Sequence, residues 1–218
     1  MLEKINIKTK NIITMETKSK EKNNDERSEK QPEKARLGSI GENLVIAKLM
    51  ELGWDAFNAN CSIKNYKSID IICLNIDAIE SPEKDWKPAT SLIQVKTSVG
   101  NNIPVGFSLK EACDKDYLWK MVKGPYVFVY VCKDKKMNKN TYRYFILSRS
   151  MVIELIYIAH NYYVNVFHKN EKLVMSAPAG FNVSWLEGKP EFSPKNKTHF
   201  GNPITKSCEN EWKNIWEE

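Results

Sequence analysis

Two apolar segments of the chain each carry polar side chains that could do chemistry. Asp70 lies within SIDII (residues 68–72), and Gln94 and Lys96 lie within SLIQVKTS (residues 91–98). Apolar and β-branched neighbours predict a strand in both segments, and residues two apart point from the same face of a strand. Burying an unpaired carboxylate, amide or ammonium is costly, so the three side chains are expected to form one polar cluster.

A carboxylate also interrupts the apolar face of a predicted helix. The segment GSIGENLVIAKLMEL (residues 38–52) predicts a helix that ends before Gly53. At 100° per residue, Glu42 falls beside Val45 and Leu49 on the apolar face. Such a residue is either an edge glutamate that reaches water or a lysine, or part of a buried site. Because an ordered set of polar residues follows, we favour the functional interpretation.

Four features occur in a fixed order along the chain: Gly41-Glu42 on a helix, Gly53-Trp54, a strand with Asp70, and a strand with Gln94-Val95-Lys96. This order resembles the PD-(D/E)XK nuclease superfamily, in the variant whose E-x-K pair begins with glutamine. Restriction-type Mrr-like nucleases carry that variant, and archaeal Holliday junction resolvases share the general plan. The resemblance covers residues 37–147. It implies an α/β restriction-endonuclease-like fold with an αβββαβ core and a mixed central sheet flanked by helices.

The resemblance implies a metal-dependent endonuclease that hydrolyses DNA phosphodiester bonds with Mg²⁺ or Mn²⁺, in defence, repair or mobile-element DNA processing. Asp70 would be the anchor ligand, joined by the side-chain oxygen of Gln94, the main-chain carbonyl of Val95, and Glu42. Lys96 would orient the attacking water or hold the charged phosphate. Glutamine removes one negative charge from the usual ligand set, so bound DNA phosphate is expected to strengthen metal binding.

Other accounts of these residues are open at this stage. Gln94 also suits a strand amide that bonds to neighbouring backbone, and Lys96 suits a salt bridge to Asp70. A relative of the same fold that grips nucleic acid or protein without cutting would tolerate the glutamine. A ribonuclease is a further alternative, because the metal chemistry does not select the sugar.

Residues expected to contact nucleic acid lie beside the predicted site. Lys64, Tyr66 and Lys67 fall in a polar loop, where basic and aromatic side chains hold phosphates or stack bases. Ser98 lies on the same strand face as Lys96 and is within reach of a phosphate. The formal net charge of +6 agrees with a nucleic-acid partner and agrees equally with an ordinary basic protein.

Composition divides the chain into three parts. Residues 1–36 are rich in Lys, Glu, Asn and Ser and predict a flexible charged arm. Residues 37–168 hold the nuclease-like pattern. Residues 169–218 are punctuated by proline and glycine and predict an irregular C-terminal extension. In that extension, Trp212 and Trp216 share one face of a short helix and are expected to dock on the domain or on a partner chain.

Patterns between the motifs predict the remaining elements of the domain. They are strands at 54–59, 68–74, 126–132 and 141–147, loops at 77–89 and 101–104, and helices at 108–122 and 148–161. Ser108 with Glu111 predicts a capping box, and Ser148 or Ser150 predicts the cap of the last helix. His160 falls in an apolar helix and is expected to be packed.

Several classes of protein are disfavoured by composition. No apolar run approaches a membrane span, and lysines interrupt the first residues where a signal peptide would need an apolar core. Five cysteines lack any C-x-x-C pair, which predicts reduced thiols in a cytoplasm and no zinc site. We expect DNA as the partner, no membrane and no small-molecule cofactor, and a homodimer by analogy with relatives that dimerise to cut two strands.

Overall fold

The computed structural model describes residues 32–60, 68–81, 88–134, 139–169, 171–189, 191–193 and 198–218. One compact unit runs from Ile40 to Glu218, and Met1–Ser39 form a separate unit. Within the separate unit, residues 32–39 are helical and begin helix α1 (residues 32–51). Residues 32–36 of the predicted arm are thus helical, and proline in the first turn with strong helix formers after it favours this helix. Residues 1–31 lie outside the described part.

The centre of the compact unit is a five-stranded sheet. Its strands are β1 (Asp55–Asn58), β2 (Ile71–Leu74), β3 (Thr90–Ser98), β5 (Tyr126–Asp134) and β6 (Lys139–Leu147). They lie in the order β1-β2-β3-β5-β6. All neighbours pair antiparallel except β3 and β5, which run parallel and therefore need a crossover between them. The protein is thus mixed α/β, with a five-stranded mixed sheet flanked by helices.

The crossover contains β4 (Asn102–Ser108), α3 (Leu109–Ala112) and α4 (Lys115–Met121). The predicted loop at 101–104 is wrong, because β4 pairs antiparallel with β7 (Pro178–Asn182), a partner far along the chain. Gly180 makes the pairing possible, since a Cβ there would lie 2.9 Å from the carbonyl oxygen of Ile103.

The helix predicted at 108–122 is divided into α3 and α4. The capping box of Ser108 and Glu111 is confirmed at the start of α3. The division comes from Asp114, whose side chain caps α4 by accepting from the N–H of Tyr117 at 2.9 Å. Short polar side chains favour caps over helix interiors, which explains the break.

The connection predicted as a loop at 77–89 begins instead with a helix. Helix α2 (Ile76–Glu80) is capped by Asn75, whose side chain accepts from the N–H of Ala78. Ala78 is buried, so packing overrides the charged composition of the segment. Residues 82–87 lie outside the described part.

Helix α5 (Arg149–Tyr162) confirms the prediction of a last long helix, and Ser148 is its cap. A π-helical turn, Tyr163–Phe167, continues it. His160 is packed as expected: it is 2% exposed and its ring nitrogens bond to the carbonyl oxygens of Ile156 and Gly180.

Residues 169–218 belong to the same compact unit as the sheet. Besides β7, they form α6 (Val183–Leu186), β8 (Glu191–Ser193), β9 (Thr198–Phe200) and a 3₁₀ helix (Trp212–Trp216). The sequence patterns missed β7 because its partner, β4, is remote in the chain. They missed β8 and β9 because each has only three residues. The expectation that the two tryptophans dock on the domain is confirmed, since both are buried and Trp216 meets Trp54 edge-on at 5.3 Å.

Two hydrophobic clusters cover the two faces of the sheet. Alternating residues of β5 divide between them: Tyr126 and Phe128 join the cluster with α5, and Val127 and Val129 join the cluster with α1 and the 3₁₀ helix. Strand β3 therefore lies between two packed layers.

Candidate active site

A cavity of about 420 Å³ lies beside β3 and brings together four predicted residues. Glu42 reaches it from α1, Asp70 from the turn before β2, and Gln94 and Lys96 from β3. Three separate elements thus contribute to one polar wall.

Asp70 is held in place from both sides. It precedes β2 rather than lying within it, because the strand begins at Ile71. Its N–H donates to the carbonyl oxygen of Ile93 at 2.9 Å, and its Oδ2 accepts from the N–H of Val95 at 2.8 Å. The side-chain amide of Asn60 also approaches its Oδ1, at 3.5 Å. The carboxylate is therefore fixed by one backbone N–H, with side-chain amide contact in addition.

Gln94 contacts the same carboxylate. It is 7% exposed, its N–H donates to the carbonyl oxygen of Pro125 at 3.0 Å, and its side-chain amide donates to Oδ2 of Asp70. The alternative of a strand amide bonded to neighbouring backbone does not describe this side chain. To act as a metal ligand, the amide would have to turn so that its oxygen replaces its NH₂ group.

Lys96 lies near both carboxylates and bonds to neither. Among the described residues it has no hydrogen bond and no ion pair within 4 Å, so the predicted alternative of a salt bridge to Asp70 is absent. Burial lowers the pKa of its ammonium group, and the charges of Asp70 and Glu42 oppose that shift. A Cβ on Gly106 would lie 3.6 Å from its Nζ, so the ammonium group lies over the backbone of β4.

Glu42 is brought to the cavity by the glycine before it. A Cβ on Gly41 would lie 1.9 Å from Oγ1 of Thr97, so only glycine lets α1 pack this closely on β3. Oε2 of Glu42 accepts from the side-chain amide of Asn58 at 3.2 Å. Burial and the nearby charge of Asp70 raise the pKa of Glu42, while the hydrogen bond from Asn58 and the charge of Lys96 oppose the rise.

Aromatic residues also line the cavity, and the sequence patterns missed them. Phe107 of β4 and Tyr117 of α4 meet edge to face, with ring centroids 6.4 Å apart. The hydroxyl of Tyr117 donates to Oε1 of Glu111 at 2.9 Å, while Oε2 of Glu111 accepts from the N–H and hydroxyl of Ser108. The capping-box motif was the available signal for Glu111, but only the folding of β4 beside β3 brings it to the cavity.

Tyr126 of β5 also lines the cavity. It is 2% exposed, and burial raises the pKa of its phenol far above the usual range, with the charge of Asp70 adding to the rise. Its hydroxyl is therefore neutral at any physiological pH. A neutral donor beside a carboxylate can position a water or a phosphate oxygen without adding charge.

Of the other predicted residues that the structure describes, Ser98 and Val95 do not line the cavity. Ser98 is buried and its hydroxyl donates to the carbonyl oxygen of Gly100 at 2.9 Å, which ties it to the turn before β4. Lys64, Tyr66 and Lys67 lie outside the described residues. Val95 packs its side chain in the core and offers only backbone groups to the site.

The donor set fits a hard divalent cation in ligand type. Carboxylate oxygens of Asp70 and Glu42, the amide oxygen of Gln94 and the carbonyl of Val95 are all oxygen ligands, which Mg²⁺ and Mn²⁺ prefer. Within the described part of the chain, no three His, Cys, Asp or Glu residues form a metal-binding group. The two carboxylates therefore provide the negative charge, and Lys96 offsets part of it.

Comparisons of the chain with protein-family models, with curated proteins and with solved structures find no match. The described helices include none that is both long and apolar enough to cross a membrane. The chemistry open to the cavity follows from its own groups, which are two carboxylates, an amide, a desolvated lysine and aromatic rings.

Proposed function

We propose that this protein is a Mg²⁺- or Mn²⁺-dependent endodeoxyribonuclease of the PD-(D/E)XK type, acting in defence, repair or mobile-element DNA processing. The observation that supports it is the convergence of Glu42, Asp70, Gln94 and Lys96 on one cavity from three elements. The order of α1, β1, β2, β3, α4 and β5 along the chain is compatible with a restriction-endonuclease-like core.

Each residue of the polar wall, which comprises Glu42, Asp70, Gln94 and Lys96, would have its own role in phosphodiester hydrolysis. Asp70 and Glu42, with the side-chain oxygen of Gln94 and the carbonyl of Val95, would hold the cation. When bound, the cation supplies a hydroxide near neutral pH and offsets charge on the phosphate. Lys96 has no ion-pair partner among the described residues, so its ammonium group is available for a phosphate oxygen or the attacking water.

A DNA-binding protein that does not cut is the second candidate. It is favoured by the contact between the amide of Gln94 and Oδ2 of Asp70, which occupies a carboxylate oxygen that a cation would need. In that case Lys96 alone would attract phosphate. The two candidates differ in whether the polar wall breaks a bond, so an activity assay separates them.

The deciding experiment is nicking of supercoiled plasmid DNA by the full chain in Mg²⁺, in Mn²⁺ and in EDTA. We expect metal-dependent nicking that Asp70→Asn and Lys96→Met each reduce at least ~100-fold. Asp116→Asn and Lys213→Met are matched controls, because both residues are exposed and lie outside the cavity. Wild-type protein that binds the plasmid and never nicks it would establish the non-cutting alternative.

Metal affinity tests the consequence of the glutamine. The ligand set has two carboxylates and a nearby lysine, so a DNA phosphate should supply charge that the protein lacks. We expect Mn²⁺ to bind markedly more tightly in the presence of an uncleavable duplex than in its absence, as measured by calorimetry. Equal affinities would show that the protein alone completes the metal site.

A further inference from the structure

The cavity has a second wall that phosphodiester hydrolysis does not require. Its volume of about 420 Å³ equals roughly ten or more water volumes, which exceeds the space filled by a hydrated ion and one phosphate. Phe107 and Tyr117, which we call the aromatic wall, line the excess space. Both side chains are only half-buried, so each presents ring surface to the cavity.

The distribution of charge indicates what fills this space. Hydrogen bonds from Ser108 and Tyr117 lower the pKa of Glu111, so its carboxylate is ionised at neutral pH. A carboxylate on the aromatic wall repels a second backbone phosphate, while Lys96 attracts a phosphate on the polar wall. The occupant beside the aromatic wall is therefore an uncharged, flat part of the substrate.

The backbone of β4 connects the two walls. Gly106 adopts φ +88° within an irregular stretch of the pairing between β4 and β7. It lies beside the ammonium group of Lys96 and directly precedes Phe107 in the chain. A phosphate held at Lys96 thus lies beside the residue next to Phe107. The part of a nucleic acid nearest a phosphate that is both flat and uncharged is the base of the adjoining nucleotide.

Resting on the proposed nuclease function, we infer that the aromatic wall stacks the base of an unpaired nucleotide next to the scissile phosphate. Bases inside a continuous duplex are already stacked and cannot reach such a wall without leaving the helix. The substrate class is therefore DNA with an unpaired or bulged nucleotide at the cleavage position. Phe107 and Tyr117 determine this specificity, and the polar wall performs the cleavage.

Binding to three duplexes of one sequence tests the inference. One duplex is fully paired, one carries a single bulged adenine, and one carries an abasic bulge; fluorescence anisotropy is measured with the full chain in Ca²⁺. We expect the adenine bulge to bind about tenfold more tightly than the other two, the value of one stacked base. Phe107→Ala should remove this preference. Phe57→Ala should keep it, because Phe57 is 53% exposed on β1 and lies outside the cavity.

Equal binding of the adenine and abasic bulges by wild-type protein would overturn the inference, and so would a preference that survives Phe107→Ala. The abasic comparison needs no variant, so it decides the matter even where Phe107→Ala fails to fold. The same duplexes in Mg²⁺ separate this inference from the proposed function. Equal cleavage of all three overturns the base-stacking role alone, whereas a bulge preference without any cleavage supports stacking and contradicts the nuclease.

Discussion

Two places in the molecule set one cation between two carboxylates, and they do so in opposite ways. Arg143 of β6 donates from Nε and Nη2 to Glu209 at 2.8 and 2.7 Å, and Nη2 also lies 2.7 Å from Glu187. Lys96 has Asp70 and Glu42 nearby and bonds to neither. The first arrangement is complete within the protein, whereas the second leaves donors and acceptors available to a ligand.

The pKa shifts express the same contrast. Hydrogen bonds from Lys189 and then from Arg143 lower the pKa of Glu187, and the hydrogen bonds from Arg143 lower that of Glu209. The bonds to Glu209 and Glu187 in turn raise the pKa of Arg143. At the cavity, burial raises the pKa of Glu42 and lowers that of Lys96, so both charged forms are disfavoured. Arg143 with Glu187 and Glu209, which we call the arginine cluster, pairs its charges within the fold. At the cavity, a bound substrate and cation would pair the charges of Glu42 and Lys96.

The largest expected effect is on activity, from Lys96→Met. Removing the desolvated ammonium group should reduce DNA cleavage by ~10²–10⁴-fold while leaving the free energy of unfolding unchanged or slightly higher, because an apolar side chain replaces a desolvated charge that makes no hydrogen bond among the described residues. Plasmid nicking and urea unfolding measure the two quantities. A variant that loses stability in proportion to activity would mean that Lys96 is a structural residue like Arg143.

Gly41→Ala is expected to have the next largest effect, and it tests how Glu42 is positioned at the cavity. The added methyl group would overlap the side chain of Thr97, so α1 must shift away from β3 at a cost of about 1–3 kcal/mol. Cleavage should fall because Glu42 moves with the helix. Adding Thr97→Ala should restore part of both losses, and strictly additive losses in the double variant would contradict a direct clash.

Arg143→Met is the counterpart of Lys96→Met. It breaks a partly exposed pair of salt bridges, so the free energy of unfolding should fall by about 1–2 kcal/mol, less than for a fully buried pair. Cleavage by the folded variant should be unchanged, because Arg143 does not line the cavity. Loss of cleavage at temperatures where circular dichroism reports a folded protein would remove the distinction between the two sites.

The smallest expected effect is the pH dependence of stability from the arginine cluster. Because Glu187 and Glu209 have lowered pKa values when folded, their contribution is complete above the unfolded value of about 4.5 and is lost as pH falls through the folded values. Between pH 6 and pH 3, the free energy of unfolding measured in urea should therefore change less with pH for Arg143→Met than for wild type. Identical slopes would show that Arg143 does not lower these pKa values.

Local patterns predicted the elements whose determinants are neighbours in the chain. Ser108 with Glu111, Ser148 before α5, and the apolar run of β5 all specify structure over a few residues. Strand β4 was missed because its stability comes from pairing with β7, which no local pattern around Pro104 reveals. Helix α2 was missed because the burial of Ala78 decides it.

The candidate site divides in the same manner. The polar residues were identifiable because a carboxylate or lysine in an apolar strand or helix face is unusual in itself, although their catalytic roles stay predictions. Phe107 and Tyr117 were not identifiable, because aromatic residues in amphipathic elements ordinarily fill a core. Their position at the cavity depends on Gly106 and the path of β4, which is a property of the tertiary structure.

The edge-on contact between Trp54 and Trp216 has a consequence for how the molecule assembles. Trp54 and Trp216 are far apart along the chain. Ser91 of β3 also donates to the carbonyl oxygen of Ile215 at 2.7 Å, across a similarly long sequence separation. Forming these contacts requires closing a very long loop, and the entropy cost of closure precedes the stabilisation that the contacts provide. Non-local contacts of this kind slow folding. We therefore expect β3, which carries Gln94 and Lys96, to form its contacts with the C-terminal residues in a late folding step. Tryptophan fluorescence should report that step.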